Sequence, residues 1–153
     1  MLTYCTRVQP DWIDYNQHLR DAYYGLIFSY ATDALMAHIG LDEAGRAATG
    51  HTLFTLQAHI SYLAQARLGE SLQVRTRLLD RDLKRLHIEH SLYREDSDEP
   101  LAVSEQMLMN IDSRIARACV FAEVVDARIS TLFGQYQGAR HSGYCGRTIA
   151  IRR

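Results

Sequence analysis

The residues best suited to chemistry lie in one short polar stretch, Asp14-Tyr15-Asn16-Gln17-His18-Leu19, which leads into a long helical pattern. Asp14 sits some six residues before the first turn of that helix. The free N–H groups of a helix start carry partial positive charge. They can polarise a carbonyl oxygen while a nearby loop carboxylate acts as base or nucleophile. Asp14 is therefore the candidate catalytic carboxylate, with His18 four residues on. The plainer alternative is that Asp14 caps the loop or the helix, as aspartate often does.

Two further groups carry polar chemistry. Gln57, His59 and Ser61 share one face of a strand pattern. They line a cleft or an interface between copies, or they face solvent. Lys84 and Arg85 open a later strand, where surface charge is the default and phosphate binding the alternative. The seven histidines give no metal site. His87 and His90 are three apart on a strand and point to opposite faces. His51 and His59 share parity but stand about 27 Å apart along it. No CxxC pair occurs among Cys5, Cys119 and Cys145. The expectation is no bound metal, no disulfide framework and free thiols in a reducing cytoplasm. G-x-S-x-G and the P-loop, kinase and dinucleotide glycine patterns are absent.

The elements that must hold these residues follow from periodicity. Leu2 to Val8 alternates as a strand and stops at Pro10. From about Arg20 to Ile39 two adjacent stripes recur at helical spacing, Tyr23-Ile27-Tyr30-Ala34-His38 and Tyr24-Phe28-Ala31-Leu35-Ile39. Two stripes predict a helix wrapped by other structure, with Gly40 as its stop. After a loop carrying Gly45 and Gly50 the period becomes two. In His51 to Ala66, Phe54, Leu56, Ala58, Ile60, Tyr62 and Ala64 share the apolar face. Strands around Leu72–Leu78, Arg85–Arg94 and Leu101–Asp112 complete an antiparallel meander. Phe121 to Phe133 reads as a C-terminal helix.

The prediction is an α+β fold in which an antiparallel sheet of about five strands curls around one long helix. Residues 1–153 form a single domain, 1–137 as core and 138–153 as a tail bearing Arg140, Arg147, Arg152 and Arg153. Length and composition agree: 153 residues, 47% hydrophobic, 23% charged. A net charge of −1 argues against nucleic-acid binding, and no apolar run approaches the ~20 residues that a bilayer requires. An exposed sheet of this size predicts self-association as a homodimer or tetramer.

The stretch Asp14-Tyr15-Asn16-Gln17-His18-Leu19-Arg20-Asp21-Ala22-Tyr23-Tyr24 resembles the D-x-x-G-H-V-N-N-x-x-Y loop of hotdog-fold acyl-CoA thioesterases of the 4-hydroxybenzoyl-CoA thioesterase type. The resemblance runs from about Tyr4 to the C-terminal helix. It implies thioester hydrolysis without a cofactor, CoA being part of the substrate. The family's catalytic aspartate falls on Asp14, its histidine on His18 and its tyrosine on Tyr24. The backbone N–H that polarises the thioester carbonyl falls near Asp21. Gln17 stands where the family has glycine, and Arg20-Asp21 where it has an asparagine pair.

More narrowly, Trp12 to His18, Ala31-Thr32-Asp33-Ala34-Leu35, Ile39-Gly40, Gln57-Ala58-His59-Ile60 and Lys84-Arg85-Leu86-His87 resemble the betainyl-CoA thioesterases associated with carnitine breakdown. Those enzymes usually carry glutamate at the position of Gln57. The resemblance implies a site in which Trp12, Tyr24, Gln57, His59, Ser61, Lys84 and Arg85 contact the substrate. Aromatic residues such as Trp12, Tyr15, Tyr24, Phe54 and Tyr62 would meet a cationic acyl group, or simply fill the core. A non-catalytic acyl-CoA-binding module and a hotdog hydratase or dehydratase are the alternatives from other classes. The hydratase pattern fits the loop less well.

Overall fold

Nineteen residues with apolar side chains at i, i+3, i+4 and i+7 form α1, Asp21–Ile39, in a computed structural model that describes residues 2–136 and 142–151. Its buried face is Tyr24, Ile27, Phe28, Ala31, Thr32, Leu35, Met36 and Ile39. Of the predicted stripe Tyr23-Ile27-Tyr30-Ala34-His38, only Ile27 is buried. Tyr30 is 39% exposed and His38 is open, so the curled sheet covers the other side of the helix, as the α+β prediction requires, and this side stays uncovered within one chain. Gly40 adopts the left-handed conformation (φ 86°) that ends the helix, its N–H bonding Ala37 O.

The other elements are β1 (Leu2–Arg7), a 3-10 turn (Pro10–Trp12), α2 (Glu43–Thr49), β2 (His51–Tyr62), β3 (Ser71–Arg81), β4 (Arg85–Arg94), β5 (Pro100–Asp112), β6 (Arg117–Ala118) and α3 (Glu123–Gly134). The stretch expected as a loop around Gly45 contains the short helix α2, capped by Asp42 accepting from Gly45 N–H at 2.8 Å.

The strand order is β1-β3-β4-β5-β2, with β6 added beside β5. Strands β3, β4 and β5 form the expected meander. β2 departs from it: it pairs with β5, not with its sequence neighbour β3. Alternation sets which face a residue occupies and says nothing of which strand lies alongside. The β2–β3 connection, residues 63–70, therefore crosses the end of the sheet, where the start of α1 rests on it.

The inner face of the sheet packs on α1 and α3. One part of the core gathers Leu35, Ile39, Leu86, Leu108, Val125 and Ile129, and the other gathers Tyr24, Ile27, Phe28, Leu72, Val74 and Leu92. A bulge between Thr55 and Gln57 changes the parity of β2. Leu53, Thr55, Ala58, Ile60 and Tyr62 pair with inner-face residues of β5, while Phe54 pairs with Met109 on the outer face. Phe54 (52% exposed) and Leu56 (50%) are thus not core residues, contrary to the alternation.

Candidate active site

Asp14 stands at the base of a small hairpin. Ile13 and Leu19 form an antiparallel bridge, and Asp14 N–H donates to His18 O at 2.8 Å. Gln17 takes the tight turn with φ +62°, in the left-handed region that favours glycine. The chain keeps the turn and accepts the strain. The Asp14 carboxylate points back over this turn, Oδ1 accepting from Asn16 N–H at 2.8 Å and His18 N–H at 3.1 Å. Oδ2 takes no hydrogen bond among the described residues. The His18 N–H bond above all, then the Asn16 N–H bond and the nearby charges of His18 and Arg20, hold the carboxyl below its ordinary pKa against the desolvation that opposes them. Asp14 is a partly exposed carboxylate with one oxygen fixed and one free.

The helix start is tied to this hairpin one residue away on each side. Arg20 N–H donates to Trp12 O at 3.0 Å, and Arg20 Nε donates to Ile13 O at 3.1 Å. At the start of α1, Tyr23 N–H bonds Arg20 O and Ala22 N–H bonds the Asp21 carboxylate. The Asp21 N–H has no partner among the described residues. It is a free donor on the positive end of the helix, next to the Asp14 hairpin.

The crossing connection supports both. Leu19 N–H donates to Ala66 O at 2.8 Å, and His18 bridges Arg67. Tyr24, 4% exposed, donates its hydroxyl to Ala64 O and accepts from Ala66 N–H, each at 3.2 Å. Tyr62 lies edge-on to Tyr24 (5.3 Å between centroids, 87°) and donates to Asp21 O at 3.3 Å. Trp12 stacks on Tyr23 at 5.8 Å. Asp14, His18, Asp21, Tyr24 and Trp12 are therefore brought to one end of α1. A carboxylate with a free oxygen beside a free helix N–H is suited to addition at a polarised carbonyl.

The sequence profile of the thioesterase-like superfamily matches residues 8–129. This chain belongs to that superfamily. A betainyl-CoA thioesterase of Pseudomonas aeruginosa is 48% identical over 151 residues, 99% of this chain and 95% of that protein. A bifunctional L-carnitine dehydrogenase/betainyl-CoA thioesterase of Agrobacterium fabrum is 37% identical over 95% of this chain, which spans 30% of that longer protein. Among solved structures, a Pseudomonas putida protein described as a thioesterase superposes with TM-score 0.87 at 49% identity, covering 100% of this chain and 97% of that one. A Staphylococcus aureus protein solved in complex with CoA gives TM-score 0.91 at 32% identity, covering 99% and 95%. With the superfamily match, a thioesterase relative 48% identical over the whole chain and these structural neighbours, the chain is a thioester hydrolase with the hotdog fold.

Other candidates of the thioesterase reading are not brought to this end within one chain. Gln57, His59 and Ser61 pair with Met107, Glu105 and Val103 on the outer face of the sheet, away from α1. There Gln57 and His59 line an open cavity of about 650 Å³ with His87, Glu105, Met107 and Arg147. Lys84 lies in the β3–β4 turn and Arg85 begins β4, at the end of the sheet where α1 finishes. Leu86 belongs there to the same core cluster as Ile39, roughly 27 Å along the helix from Asp21. Arg85 is committed to Asp82 (Nε to Oδ2, 2.8 Å), and this bond with the Lys84 and Arg85 N–H groups lowers Asp82 to about 2.

The periodicity gave no sign that the tail docks on this outer face. Ser142 donates to Glu89 Oε2 through N–H (3.0 Å) and hydroxyl (2.7 Å), and Gly146 N–H donates to Glu105 Oε2 at 2.7 Å. Arg147 lies over the Tyr144 ring. Arg140, Arg152 and Arg153 fall outside the described residues. Among the described residues no group of three or more His, Cys, Asp or Glu side chains is placed to hold a metal ion, and no helix is long and apolar enough to cross a membrane.

Proposed function

We propose that this chain hydrolyses betainyl-CoA, a step of carnitine breakdown, to betaine and free CoA. The observation that carries the reading is the Asp14 carboxylate, with Oδ2 uncommitted, on a hairpin bonded to a helix start whose first N–H is free. The Asp21 N–H receives the thioester oxygen and stabilises the charge that develops on it. Asp14 then attacks the carbonyl carbon or takes a proton from the attacking water. Both routes need the ionised carboxylate, which the Asn16 and His18 N–H groups favour. His18 faces the same hairpin and orients water or the acyl group. Whole-chain similarity to a betainyl-CoA thioesterase supports the choice of acyl group.

The working unit in this proposal is a homodimer joined along β2, alone or within a tetramer. β2 is a sheet edge with Phe54, Leu56 and Tyr62 half-exposed, an arrangement that invites pairing. Antiparallel pairing of two β2 strands would lay the Phe54–Met109–Arg85 row of one copy beside the Tyr62 row of the other. Lys84 and Arg85 would then approach the Asp14 end of the second copy, where a phosphate-bearing CoA enters. Gln57, His59 and Ser61 would border the seam.

Free-thiol release from a panel of acyl-CoAs, betainyl-CoA included, tests the proposal, with Asp14→Asn alongside. Turnover highest with betainyl-CoA and lost in the variant is expected. Binding without thiol release from any member would overturn it in favour of a non-catalytic acyl-CoA module.

A further inference from the structure

Two groups at the start of α1 are not used by the hydrolytic step, the Asp21 carboxylate on the helix and the Tyr62 ring that reaches it from the end of β2. Tyr62 is the last residue of β2 and remains 52% exposed, although its neighbour Tyr24 is buried. Its ring is fixed in two ways, edge-on against Tyr24 and by its hydroxyl on Asp21 O. Tyr24 is itself pinned by two hydrogen bonds to the crossing connection, so the ring stands on a rigid base. The Asp21 carboxylate is fixed as well, Oδ1 accepting from Ala22 N–H at 2.9 Å. Its charge is close enough to add to the rise that burial gives the Tyr62 phenol. On the next turn, Gly25 leaves the space open: a Cβ there would meet nothing within 4 Å.

We propose that the Tyr62 ring and the Asp21 carboxylate form the acyl-group selector of this site, seating a quaternary ammonium one methylene away from the reacting carbonyl. The inference rests on the thioester-hydrolase reading above. A trimethylammonium group offers no N–H, so hydrogen-bonding partners cannot recognise it. It is held by an aromatic face within about 6 Å and by a carboxylate whose charge it neutralises. Both are present at the helix start that polarises the carbonyl. The ammonium nitrogen of betaine is two bonds from the carbonyl carbon, so the group that holds it must lie beside the group that polarises the carbonyl. Asp21 carries both its carboxylate and that N–H, and the Tyr62 hydroxyl bonds Asp21 O. Gln57 lies on the outer face, paired with Met107, so within the chain the carboxylate at the helix start is that of Asp21.

The test compares betainyl-CoA with 3,3-dimethylbutanoyl-CoA, which replaces the charged nitrogen with carbon at the same shape. The quantity read is the ratio of kcat/KM for the two esters. Wild type should favour betainyl-CoA by about tenfold or more. Asp21→Asn and Tyr62→Leu should each cut that ratio by about tenfold, mainly through KM for the cationic ester, while Tyr62→Phe, which keeps the ring, should preserve it. Equal turnover of both esters by wild type, or an unchanged ratio in Asp21→Asn and Tyr62→Leu, would overturn the selector. A wild type that hydrolyses no thioester would instead overturn the hydrolase reading on which it rests.

Discussion

Asp14 and His18 are bonded to each other twice, Asp14 N–H to His18 O at 2.8 Å and His18 N–H to Asp14 Oδ1 at 3.1 Å. The pair closes the hairpin and fixes one carboxylate oxygen, which leaves the other pointing away with its charge intact. The side chain is therefore oriented before substrate arrives.

Asp14→Asn keeps an oxygen for the Asn16 and His18 N–H groups but removes the nucleophile or base. The expected outcome is a loss of kcat of at least about 10³-fold with a melting temperature close to wild type. Steady-state thiol release and a thermal melt check both halves. The native carboxyl lies below its ordinary value of 3.8, so its protonation cannot produce an acid limb above that pH. A kcat/KM profile falling with an apparent pKa near 5 or 6 would show that another group controls the reaction.

Gln17 holds a left-handed backbone (φ +62°) at the tip of the same hairpin. A side chain there costs roughly 1–2 kcal/mol in local strain, and glycine would relieve it at an entropic cost of roughly 0.5–1 kcal/mol. Gln17→Gly is accordingly expected to stabilise the fold by about 0.5–1 kcal/mol. Turnover should change little, because the Asp14 bonds are to backbone groups that the turn retains. A denaturant midpoint for each protein decides it, and a destabilised variant would mean that the Gln17 side chain supports the loop.

These two positions show which levels of the structure the residues disclosed. The helix behind Asp14 was legible because a 3.6 period is a local signal, and Gly40 ends it as glycine should. Gln17 signalled an altered turn, yet the turn survives because its hydrogen bonds outweigh the strain. The exchange of Phe54 and Leu56 between faces was hidden, since a bulge between Thr55 and Gln57 adds one residue without marking the alternation. The pairing of β2 with β5, and the docking of Ser142 on Glu89 53 residues away, depend on long-range contacts that no window of sequence contains.

His90 sets the pH response of the core. It is fully buried, stacked on Phe28, with Nε2 3.0 Å from Thr32 Oγ1 and Nδ1 2.9 Å from Thr76 Oγ1. Thr32 donates its proton to Phe28 O, so it accepts from His90 Nε2–H, and Thr76 donates to Nδ1. The network fits a neutral ring, and burial drives the pKa from 6.5 down to about 3 despite the nearby Glu89 charge. The unfolded chain therefore binds a proton below pH 6.5 that the native state refuses until about pH 3. Stability is complete above 6.5 and falls by about 1.4 kcal/mol per pH unit below it. Between pH 7.5 and 5.5 this residue should remove about 1.4 kcal/mol. Urea midpoints at the two pH values, for wild type and His90→Gln, measure it. An equal loss in the variant would sink the assignment.

Cys145 reports on whether the tail stays docked. Its thiol donates to Glu89 Oε2 at 3.1 Å, and Glu89 is 3% exposed beneath the Ser142 contacts. Burial first, then the Glu89 hydrogen bond and charge, push the thiol far above its ordinary pKa, so almost no thiolate forms. Cys5 is exposed on β1, while Cys119 is partly buried and its thiol is raised mainly by burial. Alkylation with iodoacetamide at pH 8 should label Cys5 first and leave Cys145 slowest, as peptide mapping over time would reveal. Glu89→Gln removes the charge that opposes ionisation, and Ser142→Ala loosens the strap; both should speed labelling of Cys145 by several-fold while Cys5 is unaffected. If Cys145 reacts as fast as Cys5 in wild type, the tail does not rest on Glu89 in solution. The outer face of β4 and β5, with the His87–Glu105 pair on it, would then be open to another copy of the chain.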